Sequence, residues 1–168
     1  IASDVARYEL ESPGEATQGA GAVAMRITAD PRLVEIEPGA GYHTEDVMDF
    51  WRPNYRTEAL VDGKYSMQVY LKALGECWAQ YAGQTGRRVE EFDRFCYHIP
   101  FTRMAEKAHR QLLRQQLGRA PTREEVDRHL DDSLRYSREA GNCYAASMYV
   151  GLASLLDVCR EDLAGRRI

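Results

Sequence analysis

The sequence predicts an α/β domain built in layers, and three observations carry that expectation. Alternating apolar text marks strands near the start, with Val23, Met25 and Ile27 on one face of residues 19–30 and a second alternation in residues 33–38. Apolar residues at helical spacing then dominate from Ser66 to Cys159. The chain closes on GRRI, where Gly165 punctuates a helix-to-strand change and Ile168 opens another strand.

The opening text, IASDVARY, starts without Met and reads as the tail of a buried strand whose beginning is missing, so the chain is expected to be an excerpt of a longer polypeptide. At 168 residues and 44% hydrophobic content it is sized for one globular unit, residues 1–168. The longest apolar run, residues 143–156, is interrupted by Ser147, Gly151 and Ser154 and followed by Asp157, which predicts a buried helix and no membrane span. A formal charge of −4 provides no electrostatic case for nucleic acid as the main partner. Cys77, Cys96, Cys143 and Cys159 are far apart and in apolar contexts, as expected of reduced, core-filling thiols in a cytoplasmic protein.

Between the strands and the helices, residues 39–64 form an irregular loop whose Phe50, Trp51 and Tyr55 are expected to anchor it. Ser66 caps a helix carrying Met67, Tyr70, Leu74, Cys77, Trp78 and Tyr81 that ends near Gly83. A short turn leads into the apolar FCYHIP, where Pro100 disfavours helix at Ile99 and leaves His98 at the end of an extended segment. Thr102 caps the next helix, which bears Met104, Ala105, Ala108, Leu112 and Leu113 and closes at Gly118. Thr122 followed by Glu125 is a capping box for a helix with Val126, Leu130 and Leu134 on one face, ending at Gly141. Asn142 caps a last apolar helix, residues 143–159, whose Ala145, Ala146, Gly151 and Ala153 permit close approach of neighbours.

Familiar nucleotide-binding, zinc-protease and serine-hydrolase signatures are absent. His43 stands beside Glu45 and Asp46 without specific ligand spacing, and no metal site is assigned. His109 and His129, in charged helical text, are expected to face solvent. The basic segment from Arg103 to Arg128 has two readings: a surface for an anionic ligand or acidic partner, or a solvated face answered by Glu124, Glu125 and Asp127. His98 also has two. It is a boundary histidine satisfied by a backbone carbonyl, which local pattern favours, or a reacting group at the carboxyl end of a strand.

Seven stretches read in order, ASDVARYEL, GEATQGAGAVAM, TEDVMDFWRPNY, VDGKYS, FCYHIPFTRMAEKAH, RYSREAGNCYAASMYVGLASLL and GRRI, resemble the 3-hydroxy-3-methylglutaryl-CoA synthase family over nearly the whole chain. The resemblance implies a thiolase-like layered fold, a mixed sheet between helices, of which residues 1–168 are a segment spanning the end of one half and most of the other. It implies condensation of an acetyl thioester with a β-ketoacyl thioester, in which an acetylated cysteine and a glutamate base lie upstream of Ile1. On their own, residues 1–168 are expected not to turn over substrate. By the same resemblance His98 and Asn142 share the binding of a thioester or ketone oxygen, Thr17 lines the acyl pocket, and Arg103 and Lys107 face the phosphates of coenzyme A or a phosphopantetheine arm. No tightly bound cofactor is implied, and the family is usually dimeric. The wording is closest to members acting in polyketide β-branching, whose acetyl donor rides on an acyl carrier protein, which makes Arg110, Arg114 and Arg119 a docking patch. The alternatives are a mevalonate-pathway synthase using acetyl-CoA and acetoacetyl-CoA, and a non-catalytic thiolase-fold binding module.

Overall fold

Helix α3 (Arg123–Ala140) follows its sequence signals closely. The Thr122 hydroxyl accepts the Glu125 N–H, the Glu125 carboxylate accepts the Thr122 N–H, and Gly141 ends the helix at φ +73°. The computed structural model describes residues 1–168, with α1 at Gly63–Thr85, α2 at Thr102–Leu117 and α4 at Ala146–Val158. Two antiparallel pairs supply the strands: β1 (Ala2–Ala6) with β2 (Gly19–Val23), and β3 (Phe50–Trp51) with β4 (Leu60–Val61). The β1–β2 pair lies on α4, which packs on α3, so a sheet layer covers a helical layer. A single parallel bridge, Gln18 to Asn142, adds the opposite strand direction.

The main core is built around an extended segment that has no strand partner. Phe95, Tyr97 and Ile99 point inward against Ala105, Leu112 and Leu113 of α2 and Val126, Leu130 and Leu134 of α3, while Leu74 and Trp78 of α1 close one side. Each fully buried aliphatic side chain stabilises by about 1.5–3 kcal/mol, enough for this face to set how α2 and α3 meet. A smaller core of Cys143, Ala146 and Val150 lies beneath Ala2 and Val23.

Several expectations are corrected. Residues 33–38 and 24–30 form no strand, and Ile27, Leu33 and Ile36 are exposed, because alternation makes a strand only where a neighbouring backbone pairs with it. Of β1 only Ala6 is buried. Helix α1 starts three residues before Ser66, capped by Asp62 accepting the Tyr65 N–H, and runs past Gly83 to Thr85, with Gly86 as its left-handed cap. Thr102 opens α2, but no side chain caps it. Tyr55 is exposed and anchors nothing, whereas Phe50 packs on Tyr8 and Tyr144.

The largest correction concerns His109, which is fully buried, with His129 half-buried beside it. His109 Nδ1 lies 2.9 Å from Tyr97 Oη and its Nε2 lies 2.9 Å from His129 Nδ1. Burial first, then His129 and Arg110, push the His109 pKa down to about 3. The unfolded chain therefore binds this proton where the folded one refuses it. Stability is expected to fall as pH drops from about 6.5 toward about 3, read as denaturant midpoints at stepped pH.

At the glycine pair Gly19 and Gly141 two backbones touch. A Cβ on Gly141 would stand 2.3 Å from the Gln18 carbonyl oxygen, and one on Gly19 would stand 2.0 Å from that of Ala140. Gly141→Ala is expected to cost about 1–3 kcal/mol in thermal or denaturant unfolding. Gly118→Ala, at a left-handed backbone with open space around it, is expected to cost less.

Candidate functional site

The Asn142-to-Ser147 turn, between α3 and α4, gathers the candidate residues. The Asn142 N–H donates to the Thr17 carbonyl at 2.8 Å, so the loop before β2 and the entry to α4 are joined directly. Thr17 itself is half-buried, and its hydroxyl donates to the Gly14 carbonyl at 2.8 Å. It meets the site through its backbone.

Asn142 is buried, and its amide orientation follows from its neighbours. Oδ1 accepts the Tyr144 N–H at 2.9 Å, which leaves Nδ2 to donate to Tyr8 Oη at 2.9 Å. The carboxamide therefore ties down its own turn and does not cap α4, which begins at Ala146. One Nδ2 hydrogen remains beyond the bond to Tyr8. Tyr144, held at φ +43°, packs edge-on against Tyr8 and tilted against Phe50, with ring centroids 6.5 and 5.7 Å away. Burial first, and then the Tyr8 hydroxyl, keep its phenol protonated.

His98 approaches the same turn from the extended segment. Because Phe95, Tyr97 and Ile99 face the core, the alternation of an extended backbone turns His98 outward, so that the residue is exposed while its ring is partly desolvated against Ser147. Nδ1 lies 2.9 Å from Ser147 Oγ, which also accepts the Ile99 N–H at 2.9 Å. The His98 carbonyl accepts from Tyr70 Oη at 2.7 Å. Desolvation by the surrounding protein lowers the His98 pKa, with a hydrogen bond to the Tyr144 backbone opposing it, so the ring is neutral at neutral pH. The Ser147 hydroxyl thus holds the Nδ1 side of the ring.

The cations divide into two groups. Arg103, Lys107, Arg110 and Arg114 fall on one face of α2, spaced i, i+4, i+7 and i+11 over about 16 Å, and none is in an ion pair. Lys107 Nζ rests 2.7 Å from Met67 Sδ of α1. Arg110 lines a charged groove of about 610 Å³ with Arg123, Asp127 and Asp131 of α3. Arg119, in contrast, forms a two-point ion pair with Glu125, and this guanidinium first, then the Thr122 N–H, pushes the Glu125 carboxyl down to about 2. Arg123 pairs with Asp127 at 3.2 Å. The solvated-face reading describes Arg119 and Arg123, whereas Arg103, Lys107, Arg110 and Arg114 are in no ion pair.

Other titratable groups are accounted for elsewhere. The His43 ring meets Glu45 at 3.2 Å, and Lys72 reaches the same carboxylate oxygen at 2.7 Å, so this acid already has cationic and ring partners. Burial pushes the Cys96 thiol up to about 12, far from a thiolate, and raises Cys143 as well. Sequence reasoning missed Tyr8, Tyr70, Tyr144 and Ser147. Their only signal was proximity to the quoted stretches, since each acts through a partner distant in sequence.

Known proteins place this arrangement. The fold matches a solved HMG-CoA synthase complexed with CoA at a TM-score of 0.86 and 36% identity, covering 96% of this chain and 41% of that one. This is a layered α/β unit of the thiolase-like class. The family model described as hydroxymethylglutaryl-coenzyme A synthase C terminal matches residues 35–130, and the chain belongs to that family. Among curated relatives, it is 36% identical to the hydroxymethylglutaryl-CoA synthase of Enterococcus faecalis over 168 residues, all of this chain and 43% of the relative. It is 32% identical to the polyketide biosynthesis 3-hydroxy-3-methylglutaryl-ACP synthase PksG of Bacillus subtilis over 181 residues, 99% of this chain and 43% of the relative. The chain thus spans less than half the length of these relatives.

Ser147→Ala is expected to leave the buried Ile99 N–H without its acceptor and to cost about 1–3 kcal/mol in denaturant unfolding. The same substitution is expected to change the His98 ring titration followed by NMR, because the Nδ1 partner is gone.

Proposed function

We propose that residues 1–168 supply the histidine–asparagine part of a site that condenses an acetyl thioester with a β-ketoacyl thioester to a 3-hydroxy-3-methylglutaryl-type thioester. The observation that carries this reading is the shared turn: His98 is held through Ser147 and Tyr144, while Asn142 is held through Tyr144, Tyr8 and Thr17. In this reading the His98 ring and the second Nδ2 hydrogen of the buried Asn142 are the groups that meet an oxygen. In the condensation, the acetyl methyl carbon, stripped of a proton, bonds to the ketone carbon, and the carbonyl electron pair moves to oxygen. The His98 ring and the second Asn142 Nδ2 hydrogen stabilise the charge developing there, and the alkoxide is then protonated. Water cleaves the remaining thioester to the nucleophile, giving a free carboxylate and returning the proton to the nucleophile's thiol. The acyl-bearing nucleophile and the base are assigned to groups other than those of residues 1–168, in keeping with the raised Cys96 and Cys143 thiols. A homodimer of the whole protein accompanies this reading.

The unpaired α2 stripe supports two donor classes. Arg103 and Lys107, nearest His98 in sequence, fit the phosphates of coenzyme A or a phosphopantetheine arm, while Arg110 and Arg114 continue the stripe toward an acidic acyl carrier protein. Arg119 joins such a patch only by exchanging Glu125. Relatives of both kinds match this chain, the Enterococcus enzyme at 36% and PksG at 32% identity.

His98→Ala in the whole protein is expected to depress condensation by about 100-fold or more with thermal stability retained; unchanged turnover removes the catalytic role. The acidic limb of kcat/KM is expected below the ordinary histidine value of 6.5, because desolvation keeps His98 neutral to lower pH. The double substitution Arg110→Glu, Arg114→Glu is expected to raise KM for an acetyl-carrier protein about tenfold while leaving acetyl-CoA kinetics within about twofold. A preference for free acetyl-CoA with no effect of these charges removes the carrier-protein reading.

A further inference from the structure

The inward face of the His98 segment ends in a hydrogen-bonded chain with no part in the chemistry above. Tyr97 Oη, His109 Nδ1, His109 Nε2 and His129 Nδ1 form two successive 2.9 Å contacts, running from the core to a half-buried histidine. The Phe95 ring lies against both imidazoles, 4.6 Å from His109 and 5.5 Å from His129. The backbone of the same segment is pinned to α3 by Phe95 N–H to the His129 carbonyl at 3.0 Å and by Ser133 Oγ to the Phe95 carbonyl at 2.9 Å.

Only one neutral proton arrangement gives the buried Tyr97 hydroxyl hydrogen an acceptor, at the cost of the 3.5 Å contact from the exposed Arg128 guanidinium to His129 Nε2, which then carries a hydrogen and leaves Arg128 to water. With the ring proton of His109 on Nε2, it donates to His129 Nδ1, and His109 Nδ1 accepts the Tyr97 hydroxyl. In the reversed arrangement His129 Nδ1–H donates to His109, His109 Nδ1–H donates to Tyr97, and the buried Tyr97 hydroxyl hydrogen loses its acceptor. A proton taken up by His129 makes both its nitrogens donors and forces that reversal. The loss then appears at Tyr97, one residue from His98.

We propose that the Tyr97–His109–His129 chain is a positioning device for His98, which holds the extended segment in place while neutral and loosens it when a proton enters at His129. The groups around it set when this happens. On α2, Arg110 faces His109, and Tyr70 and Cys96 flank Tyr97. Around His129, Arg128 and Arg94 oppose protonation, while Glu125 and Asp93 favour it. The adjoining groove adds Glu90 and Glu161 against Arg119 and Arg166. Burial and the two nearest arginines prevail, so the device is closed at neutral pH and opens on acidification. Neither histidine touches substrate in this scheme.

The inference rests on His98 as the substrate-facing histidine, and ring NMR of the protein tests it without substrate. Near neutral pH, histidine 15N spectra are expected to show His109 and His129 both protonated at Nε2, and on acidification the His98 ring signals are expected to move with the His129 titration. A proton on Nδ1 of either residue overturns the proposal, as do His98 signals indifferent to His129. His129→Asn places a non-titrating acceptor near the Nδ1 position, whereas His129→Leu removes it. Asn is expected to retain kcat and lose the acid-coupled His98 movement, and Leu to lower kcat about tenfold at all pH values with KM within about twofold. Identical pH profiles for the two variants overturn the proposal. If no condensation is seen yet the His98 ring follows His129, the proposed function falls and the positioning device stands.

Discussion

An extended backbone buried between helices must find hydrogen-bond partners without a sheet, and four backbone groups of residues 95–99 find theirs on side chains and a carbonyl of three different helices. Tyr70 of α1 donates to the His98 carbonyl, Ser133 of α3 donates to the Phe95 carbonyl, the His129 carbonyl takes the Phe95 N–H, and Ser147 of α4 takes the Ile99 N–H. An unpaired buried amide costs as much as a lost hydrogen bond, so these contacts are obligatory. They fix the segment's rotation about its own axis. That rotation determines which side chains are core and which reach the site.

The same segment explains why helices far apart in sequence meet at one place. Ile99 sits in the main core and within reach of Gly151 on α4, where a Cβ would come 3.2 Å from its Cδ1. Ser147, one turn earlier on α4, faces His98. The smallness of Gly151 therefore lets α4 approach closely enough for its serine to serve both the backbone and the imidazole. On the other side of the turn, the Gly19–Gly141 contact brings Thr17 to Asn142. Two backbone approaches, each dependent on a missing side chain, set the spacing between the histidine and the asparagine.

Charge follows the same division between local and tertiary control. Along α2 the cations sit on one face because of helical spacing alone, but whether each is available depends on what α3 offers. Glu125, locked in place by the Thr122 capping box, is positioned to pair with Arg119, so a helix cap neutralises part of the basic segment. The cations nearer His98 have no such acid.

Local stereochemistry made much of this legible in advance. The Thr122 box, the glycine ends at Gly118 and Gly141, the apolar spacing of α2 and α3, and the halt imposed by Pro100 all act within a few residues, and the structure places them as expected. The ordered motifs likewise pointed to the family that the comparisons then established. Tertiary structure decided the rest, because burial, pairing and hydrogen bonding depend on groups remote in sequence. Alternation in residues 33–38 could not supply a partner strand, and charged neighbours could not reveal that His109 lies at the centre of the core. Residue types also could not disclose that Asn142 grips Tyr8, more than a hundred residues earlier. By itself the sequence determined where helices start and stop and which face of each is apolar. Only the packed chain decided which polar groups face one another, since that requires distant segments to converge.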